Sequence, residues 1–191
     1  MFIKKNKYYI YIDNLSSINL NIIKINDKFN LIYRNNGKNE KISEINKFIR
    51  KCKKKHIDFF IQNDLSLALK LGASGVYLSS HNKEMPLKNR TNAKQFKIIG
   101  SAHNFGEIST KIKQGCKTII LSRLFKTDYK NKKTFYGITK FNLLTEKYNS
   151  YFVALGGIRS KNLMKLKILK CHGIALLSEA KKKPAIIRRL F

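Results

Sequence analysis

Acidic residues are scarce in this chain of 191 residues, which has 11 Asp and Glu against 40 Lys and Arg and a formal net charge of +29. Candidates for a carboxylate metal site or for acid–base catalysis are therefore few. Proline occurs only twice, and no Gly/Ser-rich linker or shift in composition divides the chain. We predict a single domain spanning residues 1–191, a length that suits one sizeable hydrophobic core.

Cysteine is also scarce, and long apolar runs are missing. Cys52, Cys116 and Cys171 are far apart and odd in number, so we expect neither a disulfide framework nor a zinc site. No apolar run reaches the roughly 18 residues that a membrane helix needs. The run that follows the charged N-terminus is too short for the apolar core of a signal peptide. We expect a cytoplasmic protein with no membrane partner.

The excess of Lys and Arg is a feature that nucleic-acid-binding proteins share. Here the basic residues are spread through every segment, together with an excess of Asn and Ile, which indicates compositional bias. The densest clusters, at 51–55, 181–183 and 188–189, fall where helices should end, and cations there complement the helix dipole. We therefore expect phosphorylated small-molecule substrates and no nucleic-acid partner, with a nucleic-acid-binding protein as an alternative.

Short apolar runs alternate with segments of helical spacing, as at 42–49 and 163–169, while 18–25 is ambiguous. The predicted strands are Tyr8–Ile12, Phe29–Tyr33, Ile57–Ile61, Gly75–Leu78, Lys97–Gly100, Thr118–Leu121, Tyr151–Leu155 and Gly173–Leu177. Eight strands with helices between them predict an α/β fold, a single (β/α)8 TIM barrel with short loops. A doubly wound parallel sheet is the alternative.

Polar residues or glycines directly follow most of these strands. In a parallel barrel they meet at the carboxyl-end rim, where active sites lie. They are Arg34, Asn63, Asp64, Ser101, Ser122, Gly156, Gly157 and Ser178. The rim is therefore the predicted site.

Two features of the rim suit phosphate groups. Gly156 and Gly157 follow the seventh strand, and Ser178 follows the eighth, the positions at which barrel loops often bind phosphate through backbone N–H groups. Arg34 and Lys130 supply positive charge at the mouth, Arg as a fork and Lys as a mobile point charge.

The carboxylates at the rim are Asp13 and Asp64, after the first and third strands. A single carboxylate can hold Mg²⁺ when a pyrophosphate supplies further oxygens. The alternative role for Asp64 is to cap the helix that follows it, and the two roles are compatible.

Histidines occur at both ends of the predicted barrel. His103 follows the fifth strand and suits proton transfer near neutral pH, and His81 lies in the loop after the fourth. His56 and His172 precede strands, so we expect them at the opposite end in structural roles. The sequence has no Ser-His-Asp triad, Cys nucleophile motif, Walker loop or H-E-x-x-H motif.

Five sequence blocks, in order, resemble those of the thiamine-phosphate synthase family, which includes the thiazole tautomerases. The likeness extends from Tyr8 to Glu179. The blocks are Asn63–Asp64 with 68–76, Ile99–His103, Phe125–Lys130, Ala154–Ile158 and Gly173–Ser178. Each block is loose alone, but together they are specific.

The resemblance implies an Mg²⁺-dependent transferase that joins hydroxymethylpyrimidine pyrophosphate to a thiazole phosphate. Pyrophosphate would leave dissociatively and create a stabilised pyrimidine cation. The residues implied for the pyrimidine pyrophosphate are Arg34, Asn63, Ser101 and Lys130. Those implied for the metal are Asp64 and Asn82. Those implied for the thiazole phosphate are Thr127, Gly156, Gly157, Leu177 and Ser178.

The chain departs from the family pattern chiefly on the pyrophosphate side. Asn36 stands in place of a lysine, Asn82 in place of a second metal carboxylate, and Tyr129 in place of a threonine. A thiazole tautomerase, with His103 as the proton-transfer group, is therefore an alternative. A barrel that binds thiazole or pyrimidine phosphates without turnover is another, and the oligomeric state is open.

Overall fold

The computed structural model describes residues 7–23, 27–35, 40–85, 96–128 and 134–177. Eight parallel strands pair in chain order, and the eighth pairs with the first to close a barrel. The strands are β1 Lys7–Ile12, β2 Phe29–Tyr33, β3 Asp58–Gln62, β4 Gly75–Leu78, β5 Lys97–Ala102, β6 Thr118–Ser122, β7 Tyr151–Leu155 and β8 Gly173–Leu176. The predicted (β/α)8 barrel is confirmed, and each strand lies within two residues of its predicted bounds.

In the part of the chain that the structure describes, four α-helices follow strands on the outside of the barrel. They are α1 Ile42–Lys54, α2 Leu65–Lys70, α3 Phe105–Lys113 and α4 Gly137–Glu146. The cations in the last turn of α1 follow the predicted pattern, since carbonyl groups at a helix end attract positive charge.

A 3-10 helix, Ser160–Ile168, connects β7 to β8 where the sequence indicated helical spacing. Leu163, Leu166 and Leu169 recur every three residues, and all three are buried. A 3-10 helix has three residues per turn, so this spacing places the three leucines on one face. The ambiguous segment after β1 contains two short 3-10 turns, Leu15–Ser17 and Leu20–Ile22.

Two layers of apolar side chains form the core. One layer lies between the strands and the helices, and the other fills the barrel interior, because successive strand residues point to opposite faces. The interior residues are Tyr9, Tyr11, Ile32, Phe60, Tyr77, Ile99, Ile120, Val153 and Ala175. Tyrosines near the carboxyl end bring hydroxyl groups into this interior, which prepares a polar floor for the rim.

Within the described ranges, no helix is both long and apolar enough to span a membrane. The three cysteines are free thiols. Burial raises the pKa of the Cys52 and Cys116 thiols to about 12, so both stay protonated and unreactive at neutral pH.

Candidate active site

A cavity of about 350 Å³ opens at the carboxyl ends of the strands. It brings together eight of the residues that the sequence predicted for the site: Arg34, Ser101, His103, Ser122, Thr127, Gly156, Gly157 and Leu177. Asn36, Lys130 and Ser178 lie outside the described residues. Of the other predicted residues that the structure describes, Asn63, Asp64 and Asn82 lie on the loops after β3 and β4, outside the lining of this cavity.

A larger cavity of about 890 Å³ lies at the other end of the barrel, where the strands begin. Its lining includes Lys7, Tyr9, Lys97 and His172. That end of a TIM barrel ordinarily serves stability, whereas the loops after the strands form the active site. We therefore assign the candidate active site to the smaller cavity, on which the predicted polar groups converge.

A chain of hydroxyl groups forms the floor of the active-site cavity. The hydroxyl of Tyr11 donates to that of Tyr77 at 3.2 Å, and Tyr77 donates to Ser101 Oγ at 2.9 Å. Burial raises the pKa of both tyrosines, so they stay neutral. Because Ser101 Oγ accepts from Tyr77, its own O–H is left to donate to a ligand in the cavity.

Arg34 is held in place at the rim by Asp13. Its Nη2 and Nε donate to Asp13 Oδ1 at 2.7 and 3.0 Å, and its guanidinium carbon lies 5.2 Å from the ring centroid of Tyr11. The Arg34 side chain is 24% exposed, so it still borders the cavity. Asp13, a carboxylate at the rim, thus orients Arg34, which the sequence predicted to bind an anion.

His103 lies against β6. Its Nδ1 is 2.7 Å from Ser122 Oγ, and its backbone N–H donates to Glu107 Oε2 at 2.7 Å. The Tyr136 hydroxyl donates to the His103 carbonyl oxygen. These contacts fix both the backbone and one edge of the ring, and Nε2 is left for a ligand.

The turn after β7 requires glycine. Gly156 and Gly157 have φ values of +99° and +68°, the left-handed region that other residues avoid. A Cβ at Gly157 would also lie 2.6 Å from the carbonyl oxygens of Phe125 and Lys126. The two rim loops therefore pack closer than any side chain would allow, and their backbone groups are fixed in position.

Arg123 is a site residue that the sequence analysis missed. Its Nη1 donates to Thr127 Oγ1 at 3.0 Å, and its Nη2 donates to the Thr134 carbonyl at 2.6 Å. Its side chain packs on Gly156, where a Cβ would lie 3.1 Å away. The available signal was its position directly after Ser122 at the end of β6. Arg123 adds a guanidinium beside the glycine turn.

The polar residues after β3 form contacts within the protein. The Ser79 N–H donates to Asn63 Oδ1 at 2.9 Å, and Asn63 Nδ2 donates to Ser79 Oγ at 3.0 Å. Asp64 Oδ1 accepts the Leu67 N–H at 2.8 Å and caps α2, the alternative role foreseen for it. Asn63 thus joins the loops after β3 and β4, while Asp64 retains a second carboxylate oxygen.

The described residues contain no group of three or more His, Cys, Asp or Glu that could hold a metal. Asp64 fits the predicted mode of one carboxylate that phosphate oxygens complete. Asn82 fits less well, since its Oδ1 accepts the Glu84 N–H at 3.1 Å and its carbonyl accepts from Lys111 Nζ at 2.7 Å. The ammonium group of Lys111 thus already lies beside Asn82.

Sequence comparison identifies relatives of this chain. The profile of the family described as thiamine monophosphate synthase matches residues 9–180. The chain is 32% identical to a thiamine-phosphate synthase from Prochlorococcus marinus over 142 residues, which cover 73% of this chain and 40% of the relative. It is 30% identical to a thiamine-phosphate synthase from Flavobacterium johnsoniae over 149 residues, 73% of this chain and 70% of that one. The chain thus spans well under half the length of the Prochlorococcus relative.

Structural comparison agrees on the fold. The thiamine phosphate pyrophosphorylase from Pyrococcus furiosus superimposes with a TM-score of 0.75 at 21% identity, over 97% of this chain and 92% of that one. The match of the profile to nearly the whole chain, with its blocks on the rim loops of one barrel, establishes the relationship. The chain belongs to the thiamine monophosphate synthase family.

Proposed function

We propose that this protein is a thiamine-phosphate synthase, a transferase that joins hydroxymethylpyrimidine pyrophosphate to a thiazole phosphate and releases pyrophosphate. The observation that supports this most is the rim cavity, which Arg34 and Ser101 line together with the glycine turn at Gly156 and Gly157. A site for two phosphorylated substrates needs two separate groups of anion-binding residues around one cavity, and this arrangement offers them.

Arg34, Ser101, Asn63 and Lys130 would hold the pyrimidine pyrophosphate. As pyrophosphate departs, negative charge grows on the leaving oxygen, and fixed cations and hydroxyl donors stabilise that charge. Arg34 is oriented for this by Asp13, and the Ser101 O–H is oriented by Tyr77. The cleaved bond joins the pyrimidine methylene carbon to the pyrophosphate oxygen, and the thiazole nitrogen forms the new bond to that carbon, so no protein nucleophile is needed.

Mg²⁺ is the proposed cofactor, with Asp64 as its main ligand and Asn82 as a weaker, neutral one. When bound, Mg²⁺ neutralises charge on the pyrophosphate oxygens and on the departing group. Asp64 Oδ2 suits this role because Oδ1 already accepts the helix N–H of Leu67.

Thr127, Gly156, Gly157, Leu177 and Ser178 would hold the thiazole phosphate, and we add Arg123 to this set. Glycine N–H groups and an arginine fork are common partners of phosphate oxygens. The contact of Arg123 with Thr127 keeps the guanidinium beside the turn.

We also propose that these small molecules are the partners and that the protein works in the cytoplasm. Its free cysteines support that compartment, since thiols persist where the medium is reducing.

The test is an assay with both phosphorylated substrates, with and without Mg²⁺, that follows pyrophosphate and thiamine phosphate together. We expect both products in equal amounts and only with Mg²⁺. No product in the presence of Mg²⁺, with both substrates bound, would contradict the proposal.

A thiazole tautomerase is the second candidate, and the position of His103 favours it. The ring lines the cavity and is held through Ser122 at 2.7 Å, which suits a group that moves a proton. This activity would be independent of metal and lost in His103→Ala. Turnover that persists in that variant would exclude His103 as the base.

A further inference from the structure

A buried lysine holds the loop that follows β4. Lys111 lies on α3, and none of its surface is exposed. Its Nζ donates to the carbonyl oxygen of Asn82 at 2.7 Å and to Gln114 Oε1 at 2.8 Å. The ammonium group therefore links the outer helix to residues 79–85, the described part of the segment after β4, which we call the β4 loop.

Gln114 strengthens the same link. Its Nε2 donates to the carbonyl oxygens of Glu84 at 2.7 Å and Asn82 at 3.1 Å. Gln114 is buried as well. Together with Lys111, it supplies donors to two carbonyl groups of the β4 loop that helix or sheet pairing does not reach.

The buried ammonium is unfavourable in itself. Burial lowers the pKa of Lys111, which shows that its surroundings disfavour the charged form. The lysine stem also needs room, because a Cβ at Gly100 would lie 2.7 Å from Lys111 Cδ. An apolar side chain of the same length would avoid the cost of burying a charge. What the ammonium provides is the contact with the loop.

The other end of the β4 loop borders the active-site cavity. Ser79 and Ser80 line that cavity, and Asn63 binds both the N–H and the hydroxyl of Ser79. Residues 79–85 are thus attached to the turn after β3 through Ser79 and to α3 through Asn82, and Gln114 adds a contact to Glu84. These two attachments restrain the part of the cavity wall that Ser79 and Ser80 form.

We propose that Lys111 and Gln114 are positioning residues, which fix the β4 loop so that Ser79, Ser80 and Asn82 are in place for the substrate that contains pyrophosphate. The identity of that substrate rests on the proposed function, but the attachment of the loop does not. Neither residue lines the active-site cavity, so both would act through the loop.

The test compares Lys111→Met, which keeps the stem and removes the ammonium, with Gln114→Leu. Lys113→Met is the matched control, because Lys113 is an exposed lysine on the same helix. Hydrogen exchange is measured at the amides of Ser79, Asn82 and Glu84. In both test variants we expect exchange about tenfold faster, as the loss of a charge-assisted hydrogen bond implies. The control should match the wild type.

Kinetics provide the second measurement. In the same variants we expect the KM of the pyrimidine pyrophosphate to rise about tenfold, while the KM of the thiazole phosphate is unchanged. A structural effect alone would shift both constants or only the melting temperature, and it would overturn the positioning role. If Lys111→Met does not fold, Gln114→Leu supplies the same two measurements.

The two possible failures can be told apart. Unchanged exchange of the β4 loop in both test variants would overturn the attachment, whatever the activity. Faster exchange in a protein whose wild type lacks synthase activity would overturn the proposed function and support the attachment. In that case the affinity for inorganic pyrophosphate replaces KM, and equal affinity in wild type and variants would overturn the positioning role.

Discussion

The two sides of the cavity mouth are built differently. On the side of β6 and β7, the turn at Gly156 and Gly157 is closely packed, and at Gly157 backbone atoms leave no room for a Cβ. On the side of β3 and β4, polar side chains bind one another, as Asn63 binds Ser79. Under the proposed function, the first side would be a preformed anion site, whereas a ligand on the second would replace contacts within the protein. Substitutions on the second side should therefore combine effects on chemistry and on local structure.

The largest effect should come from Asp64, where the chemical and structural roles can be separated. Asp64→Asn keeps an oxygen that caps α2, since Asn and Asp cap helices about equally well, but it removes the charge. If Asp64 binds Mg²⁺, kcat/KM for thiamine phosphate formation should fall about 100-fold or more. The measurement is the rate against Mg²⁺ concentration, together with the melting temperature.

Asp64→Ala is the companion variant. It removes the cap as well, so the free energy of unfolding should fall by about 1 kcal/mol while Asp64→Asn stays near the wild type. Activity retained in Asp64→Asn and lost in Asp64→Ala would show that the carboxylate is only a cap. The pyrophosphate side would then lack its main metal ligand.

Gly157→Ala tests the preformed side. The added Cβ would meet two carbonyl oxygens at 2.6 Å in a backbone with φ of +68°. We expect the free energy of unfolding to fall by about 1–3 kcal/mol and the KM of the thiazole phosphate to rise more than that of the pyrimidine pyrophosphate. Urea unfolding and steady-state kinetics measure the two effects.

Gly115→Ala is the matched control for Gly157→Ala. Its φ is +83°, but a Cβ there would meet nothing within 4 Å. Gly115→Ala should lower the free energy of unfolding by about 1 kcal/mol through backbone strain alone. Its steady-state kinetics should be unchanged. Equal effects of the two substitutions on stability and KM would mean that the close packing of the two rim loops has no role.

Arg123→Met should have a smaller and more selective effect. It removes the donors to Thr127 and Thr134. We expect the KM of the thiazole phosphate to rise about tenfold and that of the pyrimidine pyrophosphate to stay constant. Arg159→Met is the control, because Arg159 pairs with the exposed Asp128 on the same side. An equal rise in both variants would indicate a general loss of positive charge.

The sequence predicted the barrel well because each strand is a short apolar run that ends at a polar residue or glycine. It also located the rim residues, since the ends of parallel strands share one edge. It did not predict that Asp13 orients Arg34, or that Lys111 reaches the β4 loop. Such pairs join residues far apart in the chain, and among 40 basic residues no local pattern distinguishes Arg34 and Lys111 from the rest.

The smallest effect concerns His172, at the opposite end of the barrel from both sides of the mouth. Its ring packs 4.7 Å from that of Tyr151, and burial, with a contribution from Lys7, lowers its pKa below the usual 6.5. As the pH falls below about 7, His172 therefore takes up a proton in the unfolded chain before it does so in the folded protein. The free energy of unfolding decreases until the pH lies below the pKa of His172 in the folded protein. His172→Gln should remove this part of the slope in urea unfolding between pH 5 and 7, a difference below about 1 kcal/mol, and leave kcat/KM unchanged. An unchanged slope would contradict the assignment, and a change in kcat/KM would show that the two ends of the barrel are coupled.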